Sequence, residues 1–303
     1  RLFKEARFVV DTSGDMLTED YGPHVALSHL VPLIYCKLLN IDLVILAQSI
    51  GPFKRLGWLF DKVLKRAKVI AARDRITFDY LKRRGLSNVK LTADLGFLLD
   101  PEPPPFGVEV LNKSRDSTCL IGICPSALFF RKFRKGNYSA AISEFAGVLD
   151  YVSHRHNAEI VFIPHVMTPT GKMDDHAFSR ELNVTLKARS SILPADLTPA
   201  EVKYVVSQLD VVLTFRMHGA IAAMDTFVPT MGVSYSHKTD GLFARLGLSE
   251  WVIQNDDHMF ANLKSKFTDL LASREQVSAV LSKTIPKLRA EAATNIDVLK
   301  VLS

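Results

Sequence analysis

The stretch Asp210-Val-Val-Leu-Thr-Phe-Arg-Met-His-Gly-Ala-Ile-Ala-Ala-Met224 carries the signal that decides the fold. Its first five residues form an apolar, β-branched run, which is typical of a parallel strand covered on both faces. The small and apolar residues from Gly219 onward predict a helix. A buried strand that passes directly into a helix is part of a βαβ unit, the repeating element of parallel α/β folds.

The same alternation extends in both directions along the chain. Further apolar runs that predict buried strands lie at residues 7–11, 43–47, 68–72, 120–124, 159–163 and 230–234. Helical patterns separate them, at residues 56–67, 76–84, 138–154 and 200–208. The sequence therefore predicts an α/β protein built on parallel sheets.

One proline-rich stretch interrupts this alternation. Asp100-Pro-Glu-Pro-Pro-Pro-Phe-Gly107 can continue neither a helix nor a central strand, so we interpret it as a stiff linker. We expect two domains, residues 1–104 and residues 105–303. The second domain ends in helices, because apolar residues recur at helical spacing from Met259 onward, and Pro286 is expected to kink or restart them.

Composition excludes several protein classes. The chain has 303 residues, 48% of them hydrophobic and 23% charged, which fits two folded domains and excludes wholesale disorder. Its three cysteines, Cys36, Cys119 and Cys124, do not form a disulfide framework and indicate a reducing compartment. Cys119 and Cys124 are expected to be buried thiols.

Charge and hydropathy bear on location and partners. No stretch approaches the roughly 20 apolar residues of a membrane span, and the first residues lack the apolar core of a signal peptide. We expect a cytoplasmic protein, with a peripheral position at the inner face of the membrane as the alternative. The net charge of +6 favours anionic partners such as nucleic acid, anionic lipid or phosphorylated small molecules, although a solvated basic surface also accounts for it.

Polar and cationic residues follow nearly every predicted strand. Ligands of parallel α/β sheets bind beyond the carboxyl ends of the strands, so we expect these residues to line one cleft. They are Gly14, Asp15, Ser49, Arg73, Ser126, His165, Arg216, His218, Tyr235, Ser236 and Lys238.

The segment that begins at Arg216 combines several features of an anion site. The first turn of a helix offers unpaired N–H donors and a positive dipole end, and Gly219 would let a ligand approach the backbone closely. An arginine fork binds phosphate or carboxylate bidentately, and Lys238 would add a point charge. His218 can exchange a proton near neutral pH.

Several of these residues also have a structural interpretation. Arg73 could form a local ion pair with Asp74, which would be the N-cap of the following helix. His165 could be a satisfied turn residue, and a lone His218 would more often be structural.

The remaining candidate residues also have interpretations without a binding or catalytic role. Lys238 and the basic loop at residues 131–135 could be solvated surface. Asp174-Asp175 predicts a helix N-cap pair rather than a metal site, and no cluster with metal-ligand spacing is present.

Beyond these residues, the chain resembles the polysaccharide pyruvyl transferases. The resemblance is strongest in Arg216-Met-His-Gly-Ala-Ile-Ala-Ala-Met224, followed by Val228-Pro229 and Tyr235-Ser-His-Lys238. Weaker pieces occur in the family's order over nearly the whole chain. They are Ser13-Gly-Asp15, Asp20-Tyr-Gly22, Gln48-Ser-Ile-Gly-Pro52, Ala72-Arg-Asp74, Thr92-Ala-Asp94, Ile163-Pro-His165 and Asp174-Asp175.

The resemblance implies a fold and an activity. The fold would be GT-B-like, with two Rossmann-like domains facing a central cleft, an acceptor-side domain at residues 1–104 and a donor-side domain at 105–303. Family members begin with a strand and a Gly-rich loop that this chain lacks, so its first strand and helix are expected to be missing. The activity would be transfer of pyruvate from phosphoenolpyruvate to two sugar hydroxyls as a ketal, in exopolysaccharide biosynthesis.

The resemblance also implies roles for individual residues. Arg73, Arg216 and Lys238 would neutralise the phosphate and carboxylate of the donor, and His218 would be the acid or base. The scheme requires no metal or cofactor, and the acceptor would be a saccharide, free or lipid-linked.

Two other functions stay open. A nucleotide-sugar glycosyltransferase or epimerase could use the same fold, because fold alone does not fix function. A non-catalytic module that binds nucleic acid or another anionic polymer would need aromatic residues interleaved with cations, and Phe129-Phe-Arg-Lys-Phe-Arg-Lys135 is the one such stretch.

Overall fold

The protein is an α/β protein with two parallel sheets, as predicted. A computed structural model describes residues 2–105, 119–168, 171, 173–235 and 237–302. The chain divides into two compact units, one of residues 1–98 with residues 286–303 and the other of residues 99–285. Each unit has its own sheet and its own core.

The first unit has a four-stranded parallel sheet in the order β1-β2-β3-β4. Each connection moves one strand in the same direction, so right-handed crossovers place the intervening helices on one face of the sheet. The elements are α1 (Leu2–Glu5), β1 (Phe8–Asp11), α2 (Pro23–Leu38), β2 (Asp42–Gln48), α3 (Gly57–Leu64), β3 (Val69–Ala72), α4 (Arg75–Arg83) and β4 (Val89–Leu91).

Both faces of this sheet are buried, which explains the continuous apolar runs of its strands. Leu43 and Ile45 of β2 pack against the layer formed by α2, α3 and α4. Val44 and Leu46, which point the other way, pack with Val298 from the end of the chain. The alternation of side chains along β2 thus serves two separate apolar layers.

The end of the chain belongs to the first unit, whereas the sequence analysis placed it in the second. Asn295 Nδ2 donates to the carbonyl oxygen of Ala93 at 3.0 Å, and Arg289 Nε donates to that of Phe97 at 2.8 Å. The sheet face at Val44 needs this apolar cover, which no local pattern reveals. The predicted boundary at residue 104 also differs, because the division falls after Leu98.

The second unit has a six-stranded parallel sheet in the order β10-β9-β8-β5-β6-β7. The chain runs outward from β5 to β7, returns to β8 beside β5 and then runs to the opposite edge, so the order reverses between β5 and β8. The elements are β5 (Cys119–Cys124), α5 (Ala127–Phe133), α6 (Tyr138–His156), β6 (Ala158–Phe162), α7 (Asp175–Thr185), β7 (Ser190–Ile192), α8 (Pro199–Ser207), β8 (Val211–Thr214), α9 (Met217–Asp225), β9 (Thr230–Ser234), α10 (His237–Arg245), β10 (Val252–Gln254) and α11 (Met259–Ala272). The last helix, α12 (Arg274–Leu299), begins in this unit, and its residues from Pro286 onward belong to the first unit.

Two local expectations need correction. Helix α12 runs from Arg274 to Leu299 through Pro286 without the restart that the proline suggested. The basic stretch at residues 131–135 is not a loop throughout, because α5 extends to Phe133. Phe129 and Phe130 are fully buried among other rings, and Phe133 is 38% exposed, so this stretch offers one ring in place of the exposed aromatic rows that polymer binding would need. Among the described residues, no helix is long and apolar enough to cross a bilayer.

Candidate functional site

The carboxyl ends of β5 and β8 lie side by side at the point where the strand order reverses. Ser126 follows β5 and caps α5, since its Oγ accepts the N–H of Phe129 at 3.1 Å. Arg216 follows β8 and stands directly before α9. Parallel sheets bind ligands outside such a reversal, so this edge is the candidate site of the second unit.

A fully buried carboxylate, Asp175, joins three strand ends at this edge. It accepts a bidentate pair from Arg216, with Nε at 2.9 Å from Oδ2 and Nη2 at 2.7 Å from Oδ1. It also accepts the backbone N–H groups of Ala127 and Val166, each at 3.0 Å. These four bonds use the acceptor capacity of the carboxylate and fix the connections that follow β5, β6 and β8 relative to one another.

The preceding residue, Asp174, is the helix N-cap that the sequence predicted. Its Oδ1 accepts the N–H of Ala177 at 2.7 Å and its Oδ2 accepts that of Thr168 at 2.8 Å. Burial raises the pKa of Asp174, but these backbone donors outweigh it and bring the pKa below its usual value. The predicted cap pair is therefore a single cap, because Asp175 turns inward to Arg216.

Arg216 presents its guanidinium at the start of α9. The side chain is 15% exposed, and Asp175 takes Nε and Nη2 but not Nη1. The first helical bond of α9 runs from the N–H of Ala220 to the carbonyl oxygen of Arg216 at 3.1 Å. The N–H groups of residues 217–219 precede that bond and lie at the positive end of the helix dipole, which is the geometry of an anion site.

Gly219 has a packing reason for being glycine, whereas the ligand approach that we expected there stays a prediction. It is buried, and a Cβ there would lie 2.8 Å from both Cys124 Sγ and Thr214 Oγ1. The absence of a side chain lets α9 pack directly on β5 and β8. That close packing sets the height at which the first turn of α9 stands above the strand ends.

Two histidines lie at the same edge in different environments. The Nδ1 of His165 is 3.0 Å from the carbonyl oxygen of Ile163, which favours a proton on Nδ1 and an acceptor at Nε2. Burial lowers the pKa of His165, and the charges of His218 and Arg216 lower it further. The pKa of His165 therefore lies below its ordinary value. His218, by contrast, is exposed in the first turn of α9.

The residues after β9 complete this edge. The Tyr235 ring packs on Phe129 and Phe133, with centroids 5.4 and 5.5 Å apart, and so ties the end of β9 to α5. Lys238 lies in the first turn of α10 and is largely buried rather than on the surface. Ser236, which we expected to bind substrate, lies outside the described residues.

In the first unit, Arg73 forms a buried ion pair. Its Nη1 lies 2.7 Å from Asp94 Oδ2, with side chains only 5% and 9% exposed. Its Nε donates to Ser49 Oγ at 2.8 Å, and Ser49 Oγ donates to Asp74 Oδ2 at 2.7 Å. Arg73 thus forms the kind of ion pair that the structural interpretation predicted, although its partner is Asp94 and not the neighbouring Asp74.

The turn at residues 13–15 is held beside this network. Gly14 has φ +76°, a left-handed conformation that favours glycine, and its carbonyl oxygen accepts the N–H of Ser49 at 2.9 Å. A Cβ on Gly14 would lie 3.9 Å from Arg73 Nη1, so the turn and the guanidinium are neighbours. Asp15 accepts the hydroxyl of Tyr21 at 2.8 Å.

Asp94 and Asp175 are the residues that the site prediction missed. Both belong to short pieces noted in the sequence, Thr92-Ala-Asp94 and Asp174-Asp175, but a carboxylate in a connection does not reveal which arginine it will meet. In the part of the chain that the structure describes, no group of three or more His, Cys, Asp or Glu residues is placed to hold a metal ion. Burial raises the pKa of Cys124 to about 12, so its thiol is not a nucleophile here.

Comparison of the sequence with known proteins gives a family and a relative. Residues 6–237 match the family described as polysaccharide pyruvyl transferase. The amylovoran biosynthesis protein AmsJ of Erwinia amylovora is 20% identical over 303 aligned residues, which cover 94% of this chain and 70% of that protein.

Solved structures show the fold. S. aureus MnaA, in a co-structure with UDP, superposes with a TM-score of 0.64 at 11% identity over 93% of this chain and 72% of its own. A trehalose-phosphate synthase from Burkholderia vietnamiensis gives a TM-score of 0.57 at 12% identity, over 91% of this chain and 73% of its own. These likenesses support a GT-B-like fold. The family match at residues 6–237 spans well over half of this chain, and the chain therefore belongs to the polysaccharide pyruvyl transferase family.

Proposed function

We propose that the protein transfers the pyruvate group of phosphoenolpyruvate to two hydroxyls of a sugar in a polysaccharide or glycolipid precursor, forming a cyclic ketal. The observation that carries the proposal is the anion-binding start of α9 with the Arg216 fork beside it, in a chain of this family. The name of AmsJ, which refers to amylovoran biosynthesis, supports a polysaccharide context.

The donor would be held by charge and by backbone donors together. Phosphoenolpyruvate carries a phosphate and a carboxylate, and the N–H groups of residues 217–219 with Arg216 Nη1 suit one of them. Asp175 already balances the charge of Arg216. This arginine would therefore orient the bound anion through its N–H donors more than it would attract the anion by net charge. Lys238, in the first turn of α10, would supply the further positive charge.

The proposed chemistry uses two additions at one carbon. A proton adds to the methylene carbon of the donor, and the first sugar hydroxyl attacks the oxocarbenium-like C2 and loses its proton. The C2–O bond to phosphate then breaks, and phosphate leaves with one proton. The second hydroxyl attacks the same carbon and loses its proton, which closes the ketal and balances the proton added at the methylene carbon. His218 is the proposed acid or base, because it is exposed at the same helix start that would hold the anion.

We propose a different role for Arg73 than the sequence implied. Its buried pairing with Asp94 and its bond to Ser49 suit a residue that positions the turn at residues 13–15. Gly14, Asp15 and Ser49 would then shape the acceptor side of the reaction, while Arg73 stays out of contact with the donor.

The proposal is tested by phosphate release from phosphoenolpyruvate with galactose-, mannose- and glucose-containing acceptors. His218→Gln should cut turnover by about 10²–10⁴-fold and leave donor affinity largely intact. His154→Gln is the matched control, since His154 is an exposed histidine on α6.

Two results would contradict the proposal. One is turnover of a UDP-sugar in the absence of phosphoenolpyruvate, which would favour a nucleotide-sugar enzyme on this fold. The other is a His218→Gln protein with the wild-type turnover per folded molecule, with melting curves recorded on the same preparation to count that fraction.

A further inference from the structure

Helix α2 of the first unit leaves a second apolar face exposed. Its inner face, with Leu30 and Leu33, is buried in the core. On the opposite side Val31, Tyr35 and Leu38 are exposed, and Leu38 reaches 71% exposure. Contiguous exposed apolar side chains on one helix face indicate an interaction surface rather than scattered surface residues.

Helix α3 adds an aromatic residue and cations to the same layer. It packs beside α2 on the same face of the sheet. Trp58 is 61% exposed, and Lys62 Nζ lies 5.2 Å from the centre of its ring. Lys65 is exposed on the next turn. We call the exposed sides of α2 and α3 together the outer helix face.

A cavity opens between the ends of these two helices and the starts of β2 and β3. Its volume is about 270 Å³, and Lys37, Arg66 and Lys68 contribute cations to its lining. Arg66 Nη2 donates to Asn40 Oδ1 at 2.8 Å, and Lys68 Nζ lies 3.4 Å from Asp42 Oδ1. The cavity therefore lies at the amino-terminal edge of the sheet, at the opposite end of its strands from Ser49 and Arg73.

The charge of the whole chain is concentrated in this unit. Residues 1–98 contain 16 Lys and Arg against 10 Asp and Glu, whereas the rest of the chain contains 22 of each. The net charge of +6 thus belongs entirely to residues 1–98. A surface that combines exposed apolar side chains with an excess of cations is complementary to anionic lipid.

We infer that the outer helix face docks on a membrane that contains anionic phospholipid. The lipid phosphates meet Lys37, Arg66 and Lys68 at the cavity, while Val31, Tyr35, Leu38 and Trp58 enter the boundary between headgroups and acyl chains. A second copy of the chain fits this face less well, because a two-fold contact would bring the two sets of cations together. The inference does not depend on the proposed reaction.

Vesicle flotation tests this directly. The full chain should float with vesicles of phosphatidylcholine mixed with phosphatidylglycerol, should stay behind with phosphatidylcholine alone, and should be released by added salt. The triple change Lys37→Gln, Arg66→Gln and Lys68→Gln should weaken binding by about a hundredfold, because each cation near an anionic surface contributes a factor of about five in affinity. Leu38→Ser should also weaken it, since this side chain is exposed in the folded protein.

Matched variants separate this surface from general charge or hydrophobicity. The triple change Lys187→Gln, Arg189→Gln and Lys283→Gln removes three exposed cations of the second unit, and Val184→Ser removes an exposed apolar side chain there. Both should leave vesicle binding unchanged. Absence of binding to anionic vesicles, or equal losses in the two triple variants, would overturn the inference. Self-association in sedimentation velocity that Leu38→Ser abolishes would overturn it in favour of a second copy.

Discussion

Arg73 and Arg216 occupy comparable places in two separate α/β units, but their surroundings differ. Each follows a buried parallel strand and each pairs with a carboxylate from a neighbouring connection, at 2.7 Å in both cases. Arg73 is 5% exposed, whereas Arg216 is 15% exposed at the point where the strand order of its sheet reverses. A helix start follows each arginine, but that of α4 is capped by the side chain of Asp74, whereas α9 has no side-chain cap.

The difference teaches that an arginine after a strand is not in itself a ligand-binding residue. In the first unit Asp94 and Ser49 accept from Nη1 and Nε of the guanidinium. In the second unit a buried carboxylate accepts from Nε and Nη2 of the fork. We propose that these surroundings, more than the residue type, separate the roles of the two arginines.

Removal of either carboxylate should have the largest effect on stability. Asp175→Ala leaves Arg216 and two backbone N–H groups without this acceptor, and Asp94→Ala removes the carboxylate that pairs with the buried Arg73. Each should lower the free energy of unfolding by about 3–5 kcal/mol, measured by urea denaturation, because a buried charge loses its partner.

The exposed pair of Arg75 and Asp79 provides the control for this comparison. Asp79→Ala should change stability by less than about 1 kcal/mol, since both side chains reach solvent. A loss as small as this for Asp175→Ala would mean that the carboxylate does not hold Arg216. It would contradict the comparison of the two arginines.

Glycine substitutions should have a smaller effect, with a different cause in each unit. Gly219→Ala drives a methyl group against Cys124 and Thr214 and should cost about 1–3 kcal/mol in urea unfolding. Gly14→Ala forces alanine into a left-handed conformation without a close contact and should cost about 1–2 kcal/mol. A fully stable Gly219→Ala protein that fails to bind phosphoenolpyruvate would instead support a ligand-approach role for this glycine.

His165 should give the smallest effect, visible only as a pH dependence. Burial holds its pKa below the ordinary value of 6.5, so the unfolded state binds a proton more readily than the folded state. This contribution to stability is present above about pH 6.5 and is lost as the pH falls below it. His165→Gln should flatten that part of the curve of unfolding free energy against pH. Identical curves for wild type and His165→Gln would contradict the assigned environment.

The sequence alone was sufficient to predict the positions of the strands that have strong local patterns. The run at residues 230–234 matches β9, and the run at 210–214 differs from β8 by one residue. The three-residue strands β4, β7 and β10 were not predicted, because so few residues carry no periodic signal. The covering of one sheet face by the end of the chain depends on contacts between residues far apart in sequence, such as Asn295 and Ala93.

The candidate site was predicted as a set of strand-end residues, and its internal pairing was not. Residue type and position pointed to Arg216, His165 and Ser126 at one edge, and the structure places them after β8, β6 and β5. The partners Asp94 and Asp175 needed the fold, since carboxylates choose partners by distance and burial. The packing of Gly219 on Cys124 and Thr214 was not predicted for the same reason, because close helix packing is a property of three elements together.

Calorimetric titration of phosphoenolpyruvate tests the central claim most directly, which is that the donor anion binds at Arg216 and not at Arg73. Wild type should bind, Arg216→Lys should lose about ten- to a hundredfold in affinity because the fork is lost, and Arg73→Lys should bind like wild type if it folds. Folding of each variant is checked by its melting curve. No binding by folded wild type, or a loss in Arg73→Lys that matches or exceeds the loss in Arg216→Lys, would contradict the account.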